Sequence, residues 1–92
     1  MSDYERQLMD LAKKGSIEAF EKLAESYYKK VYNIIFRSFG PEADVSGLTQ
    51  EVFVRVFKSL KNQPGDCLLA ISIYKSTGEV CHEAQSGIKL IS

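Results

Sequence analysis

An apolar stripe between residues 48 and 60 constrains the fold of this chain more than any other feature. Its members recur at intervals close to one helical turn, so they fall on one side of an α-helix. They are Leu48, Val52, Phe53, Val56, Phe57 and Leu60. The sequence therefore predicts a helix that buries this side in a core.

The opposite side of the same helix carries a mixed set of side chains. It presents an amide, a carboxylate, a β-branched apolar residue and two cations, namely Gln50, Glu51, Val54, Arg55 and Lys58. One interpretation is an ordinary solvated face with local ion pairing. The other is a surface that binds a partner. Spacing alone leaves both interpretations open.

Two further helices are predicted before this one. The first covers residues 3–14 and ends at Gly15, because glycine is common just past a helix C-terminus. Ser16 then caps a second helix over residues 17–39, which a Gly-Pro pair ends. The predicted apolar stripes are Tyr4, Leu8, Leu11 and Ala12 in the first helix, and Phe20, Leu23, Ala24, Tyr27, Val31, Ile34, Ile35 and Phe39 in the second. The second stripe is wide enough to pack against two neighbours.

Short connections flank the helix of the apolar stripe. Residues 42–47 form the first connection, with Ser46 as the predicted N-cap. The helix is expected to end near Lys61. Residues 62–66 read Asn-Gln-Pro-Gly-Asp, which predicts a loop because proline fixes φ and glycine frees it.

The tail that follows fits two structures. Residues 68–75 are rich in β-branched and apolar side chains, and a Ser-Thr-Gly turn signal follows them. This local pattern favours a β-hairpin. A fourth helix is the alternative.

Composition limits the class of protein. The chain has 92 residues and 45% apolar content, which suits one globular domain with a small core. No apolar run approaches the ~18 residues that cross a bilayer, and the start Met-Ser-Asp-Tyr-Glu lacks the basic region of a signal peptide. We therefore expect a cytoplasmic protein with no membrane partner.

Charge gives a weaker indication. The formal net charge is zero, whereas nucleic-acid-binding domains are usually basic. Residues 29–61 nevertheless carry more cations than acids, which suits contact with phosphates. Ordinary solvated lysines on helix exteriors explain the same pattern.

Few residues suggest chemistry. Cys67, Cys81 and His82 are the only cysteines and the only histidine, and their spacing matches no zinc motif. Cys81 beside His82 lacks a third orienting group for thiolate catalysis. No paired carboxylates, nucleophile triad or phosphate-binding glycine loop can be assembled. We expect no metal, no cofactor and no enzymatic activity.

The signature Leu-Thr-Gln-Glu-Val-Phe at residues 48–53 resembles Asp-Leu-Thr-Gln-Glu-Val-Phe in region 2.2 of extracytoplasmic-function sigma factors of bacterial RNA polymerase. Gly47 stands at the position of the aspartate. Residues 12–23 and 27–32 are similar to the opening two helices of that family. The resemblance implies an all-α fold, a small three- to four-helix orthogonal bundle, with residues 1–65 as its core and residues 66–92 as a diverged tail.

In the family the tail is a long helix that begins Trp-Leu-Tyr-Lys-Ile. Tyr74-Lys75 and residues 80–82 keep the register of that helix. In the same register Ser72 replaces the tryptophan, Ser76 the isoleucine, Glu79 an asparagine, Glu83 an aspartate and Ser86 an arginine. Two of these changes remove donors or add negative charge where family members meet DNA, and a carboxylate repels phosphates.

The resemblance also implies two surfaces and their partners. Region 2.2 binds the clamp helices of the RNA polymerase β′ subunit, which assigns polymerase binding to Leu48, Gln50, Glu51, Val54 and Arg55. The next loop and helix bind the minus ten element of promoter DNA as a single strand, which assigns DNA binding to Lys58, Lys61, Asn62, Gln63, Tyr74 and Lys75. We expect a sigma-factor-like module in transcription initiation.

An alternative of another class is a protein-interaction module without DNA binding of its own. Such a module would act as a co-sigma subunit beside a second sigma-like subunit, as a decoy, or as a domain that binds an anti-sigma factor. The altered tail motivates this alternative. Sigma factors of this group also carry a second domain, region 4, and the sequence predicts none within its 92 residues.

Overall fold

The structure is a computed structural model that describes residues 2–60, 62 and 69–86. Within these residues all regular structure is helical: α1 spans Asp3–Lys13, α2 Ile17–Phe39, α3 Val45–Leu60 and α4 Leu69–Ser86. The predicted all-α bundle is therefore confirmed. No helix in the described part of the chain has the length and apolar content to cross a bilayer.

Local sequence signals explain the ends of α1 and α2. The Ser2 hydroxyl accepts a hydrogen bond from the backbone N–H of Glu5, whose side chain bonds back to Ser2, forming a capping box. The Ser16 hydroxyl accepts from the N–H of Ala19 at 3.2 Å and starts α2 as predicted. Gly15 and Gly40 follow the two helices with φ of 107° and 81°, a conformation that other residues rarely adopt.

The start of α3 differs from the prediction. Asp44 is the residue that caps the helix, because its carboxylate accepts a hydrogen bond from the N–H of Gly47 at 3.1 Å. Ser46 therefore lies inside the first turn, where it is exposed, and its assignment as N-cap was wrong. The helix begins at Val45, so the preceding connection is shorter than predicted.

The core lies where α2, α3 and α4 meet, and α1 covers its other side. Its most buried side chains are Val31, Ile35, Val52, Val56, Leu60, Ile73 and Val80. α1 contributes Leu8, Met9 and Ala12. The predicted stripe members Tyr4 and Leu11 are instead 60% and 49% exposed. The inward side of α1 is thus turned towards Met9, which the spacing argument omitted.

Within the tail, the described residues 69–86 form helix α4, so the hairpin interpretation was wrong. The buried side of α4 is Leu69, Ser72, Ile73, Ser76, Thr77 and Val80. This set has helical spacing once the hydroxyl residues are included. Burial of Thr77 is possible because its hydroxyl donates to the carbonyl of Ile73 at 2.7 Å. The supposed turn signal lies in the middle of the helix, which packs on α3 and α2.

Candidate functional site

The outward side of α3 divides into exposed and half-buried positions. Gln50 is exposed and Val54 is 49% exposed. Leu48 is half-buried and packs against the core. Of the apolar pair predicted to contact polymerase, Val54 is therefore open to a partner, whereas Leu48 mainly supports the helix.

Gln50 and Val54 lie on the edge of an open groove between α2 and α3. The groove has a volume of about 1230 Å³ and is lined by apolar side chains, including Phe20, Phe53 and Phe57. Phe20 contacts both other rings, at centroid distances of 6.4 and 5.2 Å. The apolar lining and elongated helical walls suit the docking of an amphipathic helix.

The α2 edge of this groove carries charges of both signs. Glu18, Glu21 and Glu25 line it together with Lys22 and Lys29. The groove as a site was missed from the sequence because Phe53 and Phe57 were both assigned to the core. Phe57 is in fact half-buried. Two aromatic residues at the margin of the α3 stripe were the available signal.

Arg55 forms an intramolecular ion-pair network with Glu51 and Glu83. The Arg55 guanidinium donates to both carboxylate oxygens of Glu83 on α4, at 2.7 and 2.6 Å, and to the carboxylate of Glu51 at 2.8 Å. The hydrogen bonds to Glu83 raise the pKa of Arg55 above its ordinary value, with the charges of both acids adding to the effect against the opposing effect of burial. Arg55 is therefore cationic at every working pH.

The residues predicted to bind DNA do not form one patch. Lys58 lines the groove between α2 and α3, whereas Lys75 lies in a cleft between α3 and α4. Tyr74 is 43% exposed on α4, and Asn62 is exposed after α3. Lys61 and Gln63 lie outside the described residues. The described members are thus distributed over two sides of α3.

The cleft between α3 and α4 is small and polar. Its volume is about 160 Å³, and its lining is Arg55, Ser59, Ser72, Lys75, Ser76 and Glu79. Ser72 and Ser76 occupy positions where the sigma-factor pattern has tryptophan and isoleucine. Side chains of that size would fill much more of the space between the helices.

Cys81 shows no feature of a reactive thiol. It is half-buried on α4, and burial raises the pKa of its thiol. The thiolate is therefore a minor species at neutral pH. Among the described residues, no three His, Cys, Asp or Glu side chains come together in a way that could hold a metal ion. Cys67 lies outside the described residues.

The sequence of this chain is similar to those of sigma factors. Residues 23–66 match the model of sigma-70 region 2. The chain is 36% identical over 52 residues to the ECF RNA polymerase sigma factor SigE of Mycolicibacterium smegmatis, which is 55% of this chain and 20% of that protein. It is 25% identical over 73 residues to the RNA polymerase sigma-H factor of Pseudomonas aeruginosa, covering 79% of this chain and 38% of that protein.

The matched segments thus span well under half the length of these two relatives. No solved structure matches the chain significantly. The family match includes most of α2 and all of α3. It therefore contains the signature helix, Arg55 and the α3 side of the groove, whereas Phe20 and the first turn of α2 precede it. These similarities support a region 2 domain of the sigma-70 family at residues 23–66.

Proposed function

We propose that this chain docks on RNA polymerase through the outward side of α3 and contributes to promoter recognition in transcription initiation. The observation that carries the proposal is the position of Gln50 and Val54. Both are exposed at the edge of the apolar groove between α2 and α3, on the helix that holds the family signature. The family match and the sigma factors among the relatives support the general role.

The proposed partner on polymerase is the pair of clamp helices of the β′ subunit. An amphipathic helix of that pair would place apolar side chains against Phe53 and Val54 and accept or donate hydrogen bonds at Gln50. The groove carries three acids and three lysines, so we expect the partner helix to present cations opposite the acids and acids opposite the lysines. Complementary charge of this kind assists encounter and fixes orientation. Docking is thus attributed to the groove rather than to Arg55.

The proposed contribution to promoter DNA comes from α4. Tyr74 offers a partly exposed ring on which a base can stack, and Lys75 is exposed beside it for a phosphate. Glu79 and Glu83 add negative charge one and two turns further along the same helix. We therefore expect this chain to bind the minus ten strand weakly by itself. We expect tighter binding when polymerase holds both this chain and the DNA.

A second candidate function is a protein-interaction module that occupies the polymerase clamp without reading DNA. Glu79 is exposed on α4, and Ser72 replaces the large aromatic of the sigma-factor pattern. Both changes weaken a DNA surface, while neither touches the groove. This candidate retains docking and loses the DNA contact.

Calorimetry with a β′ clamp-helix fragment tests the docking step. Gln50→Ala combined with Val54→Ala is expected to weaken binding about tenfold, because central contacts in an interface typically contribute more than 1 kcal/mol. Gln7→Ala is the matched control, since Gln7 is an exposed glutamine on α1 outside the groove. Failure of the unaltered chain to bind, or equal weakening by the control, would refute the proposal.

Fluorescence anisotropy with a labelled minus ten single strand separates the two candidates. In the presence of core polymerase, Tyr74→Ala and Lys75→Gln are expected to weaken DNA binding, while Lys14→Gln, at the residue that follows α1, leaves it unchanged. Polymerase docking with no effect of either α4 variant on DNA would favour the protein-interaction module.

A further inference from the structure

Arg55 lies between the two surfaces proposed above. It belongs to α3, and both of its terminal nitrogens bond to Glu83, 28 residues further along the chain. Two parallel hydrogen bonds between a guanidinium and a carboxylate fix the relative orientation of the groups as well as their separation. The pair therefore relates the position of α4 to that of α3.

Glu51 shares the same guanidinium. Its carboxylate contacts the nitrogen Nη2 that also bonds to Glu83. The side chains of Arg55, Glu51 and Glu83 are each about one third exposed, at 32%, 32% and 30%. Solvent and a docking partner can thus reach the network, in which two carboxylates share one guanidinium.

Small polar side chains, rather than large apolar ones, lie between α3 and α4 near this network. The cleft beside Arg55 is lined by Ser59, Ser72 and Ser76, which are too small to hold two helices in one orientation by shape. The apolar contacts of α4 come from residues such as Ile73 and Val80, which are fully buried. They keep the helix on the core, whereas the residues that line the cleft at the Arg55 side are polar.

We propose that Arg55 is a positioning residue that orients α4, with Tyr74 and Lys75, through Glu83, and that Glu51 competes with Glu83 for the Arg55 guanidinium. The role of Tyr74 and Lys75 in this inference rests on the proposed function. A cationic partner that docks near Glu51 draws its carboxylate away and leaves Arg55 to Glu83 alone. Docking at α3 then strengthens the contact that orients α4, which couples the two surfaces.

Two matched substitutions, Glu83→Gln and Glu51→Gln, test this without any partner. Each replaces one carboxylate of the network by an amide of the same size. Hydrogen exchange of the α4 amides is expected to become at least about fivefold faster in Glu83→Gln, as for a loss of roughly 1 kcal/mol. In Glu51→Gln it is expected to be unchanged or slower, because Arg55 then serves Glu83 alone. Equal acceleration in both variants, or none in Glu83→Gln, would overturn the proposal.

The reversed pair provides the rescue. Arg55→Glu alone places three carboxylates together and is expected to loosen α4 strongly. Arg55→Glu with Glu83→Arg restores the contact between the helices, so exchange of the α4 amides is expected to return towards that of the unaltered chain. If the α4 amides exchange as fast in the double variant as in Arg55→Glu alone, the contact does not orient α4.

The change in DNA affinity in Glu83→Gln distinguishes an orienting role from a direct electrostatic effect, because the two predict changes of opposite sign. Removing the charge of Glu83 reduces repulsion of phosphates, so a direct electrostatic effect predicts tighter binding of the minus ten single strand. Loss of orientation predicts weaker binding, by at least about fivefold if the coupling is of ordinary size. Because such coupling is reciprocal, Glu83→Gln is also expected to weaken binding of the β′ clamp-helix fragment. Tighter DNA binding would overturn the orienting role.

Failure of the proposed function gives a different result. If the unaltered chain binds neither polymerase nor DNA, the proposed function fails, while the hydrogen-exchange comparison still decides whether Arg55 orients α4. If the unaltered chain binds both, the DNA measurement decides whether that orientation is used.

Discussion

Replacement of Gly78 by alanine is expected to stabilise the protein. Gly78 is exposed in the interior of α4, and a Cβ atom built there meets no other atom within 4 Å. The substitution therefore changes neither packing nor hydrogen bonds. Alanine is favoured over glycine in a helix interior by about 0.5–1 kcal/mol, because glycine loses more backbone entropy on folding.

Thermal unfolding followed by circular dichroism at 222 nm measures this effect. For a domain of this size 1 kcal/mol corresponds to ~4–8 °C, so Gly78→Ala is expected to raise Tm by about 2–8 °C. Denaturant unfolding gives the same quantity as a higher midpoint with an unchanged slope. Both measurements use the isolated chain and need no partner.

Gly40→Ala is the matched control, with the opposite expected sign. A Cβ atom at Gly40 also meets nothing within 4 Å, but φ is +81° there. With ψ near 180° this is a region that essentially only glycine adopts. An L-residue there costs on the order of 1–3 kcal/mol, so this variant is expected to lower Tm. A fall in Tm with Gly78→Ala would refute the assignment of α4, because it would place Gly78 in a turn that needs glycine, as in a β-hairpin.

Three other changes test separate parts of the structure. Asp44→Ala removes the N-cap of α3 and is expected to lower the free energy of unfolding by about 1 kcal/mol. Ser46→Ala, at the exposed position first predicted as the cap, is expected to change it little. Equal losses in the two variants would contradict the cap assignment. Ile73→Ala opens a cavity at a fully buried position and is expected to cost about 2–5 kcal/mol in denaturant unfolding, while a loss below 1 kcal/mol would mean that α4 is not packed on the core. Burial raises the pKa of Cys81, so folding favours the neutral thiol. The free energy of unfolding therefore keeps its full value below the ordinary thiol pKa and falls as pH rises from there through the higher pKa of the folded state. In a Cys67→Ser background, Cys81 is therefore expected to react with iodoacetamide more slowly than free cysteine at pH 8, and an equal rate would contradict its burial.

Much of the helical framework could be predicted from the sequence. Both ends of α2 were predicted to the residue, since Ser16 and the Gly-Pro pair at its end are strong local signals. The core side of α3 followed from spacing, as Val52, Phe53, Val56 and Leu60 are buried. These positions were predictable because large apolar residues at helical spacing have one favourable arrangement.

The missed features depend on contacts that spacing does not encode. Asp44 caps α3 through its side chain, a choice between two nearby capping residues that only the backbone path decides. The buried side of α4 includes Ser72, Ser76 and Thr77, which an apolar pattern does not count. Arg55 was assigned outward as a polymerase contact, and its engagement by Glu83 depends on how α3 and α4 lie together. The role of Arg55 in polymerase binding, which the resemblance implied, stays a prediction.

The two acidic replacements on α4 differ in their expected effect on DNA. Glu83 is compensated by two hydrogen bonds from Arg55, whereas Glu79 is exposed and lies in the cleft beside Lys75. Glu79 is thus the acid that repels a phosphate near Lys75, by at most about 1 kcal/mol for unit charges 4 Å apart in water. Glu79→Gln is expected to tighten binding of the minus ten single strand a few-fold in an anisotropy titration at low salt, with the gain shrinking as salt screens the charge.

The comparison with Glu83→Gln makes this expectation specific. Both substitutions remove one negative charge from α4, yet tighter binding is expected for Glu79→Gln and weaker binding for Glu83→Gln. If both variants bind more tightly by the same factor, the net charge of α4 alone governs DNA affinity. If neither changes the affinity, the DNA strand does not approach this side of α4. Opposite signs are expected only when one carboxylate repels the ligand and the other orients the helix that binds it.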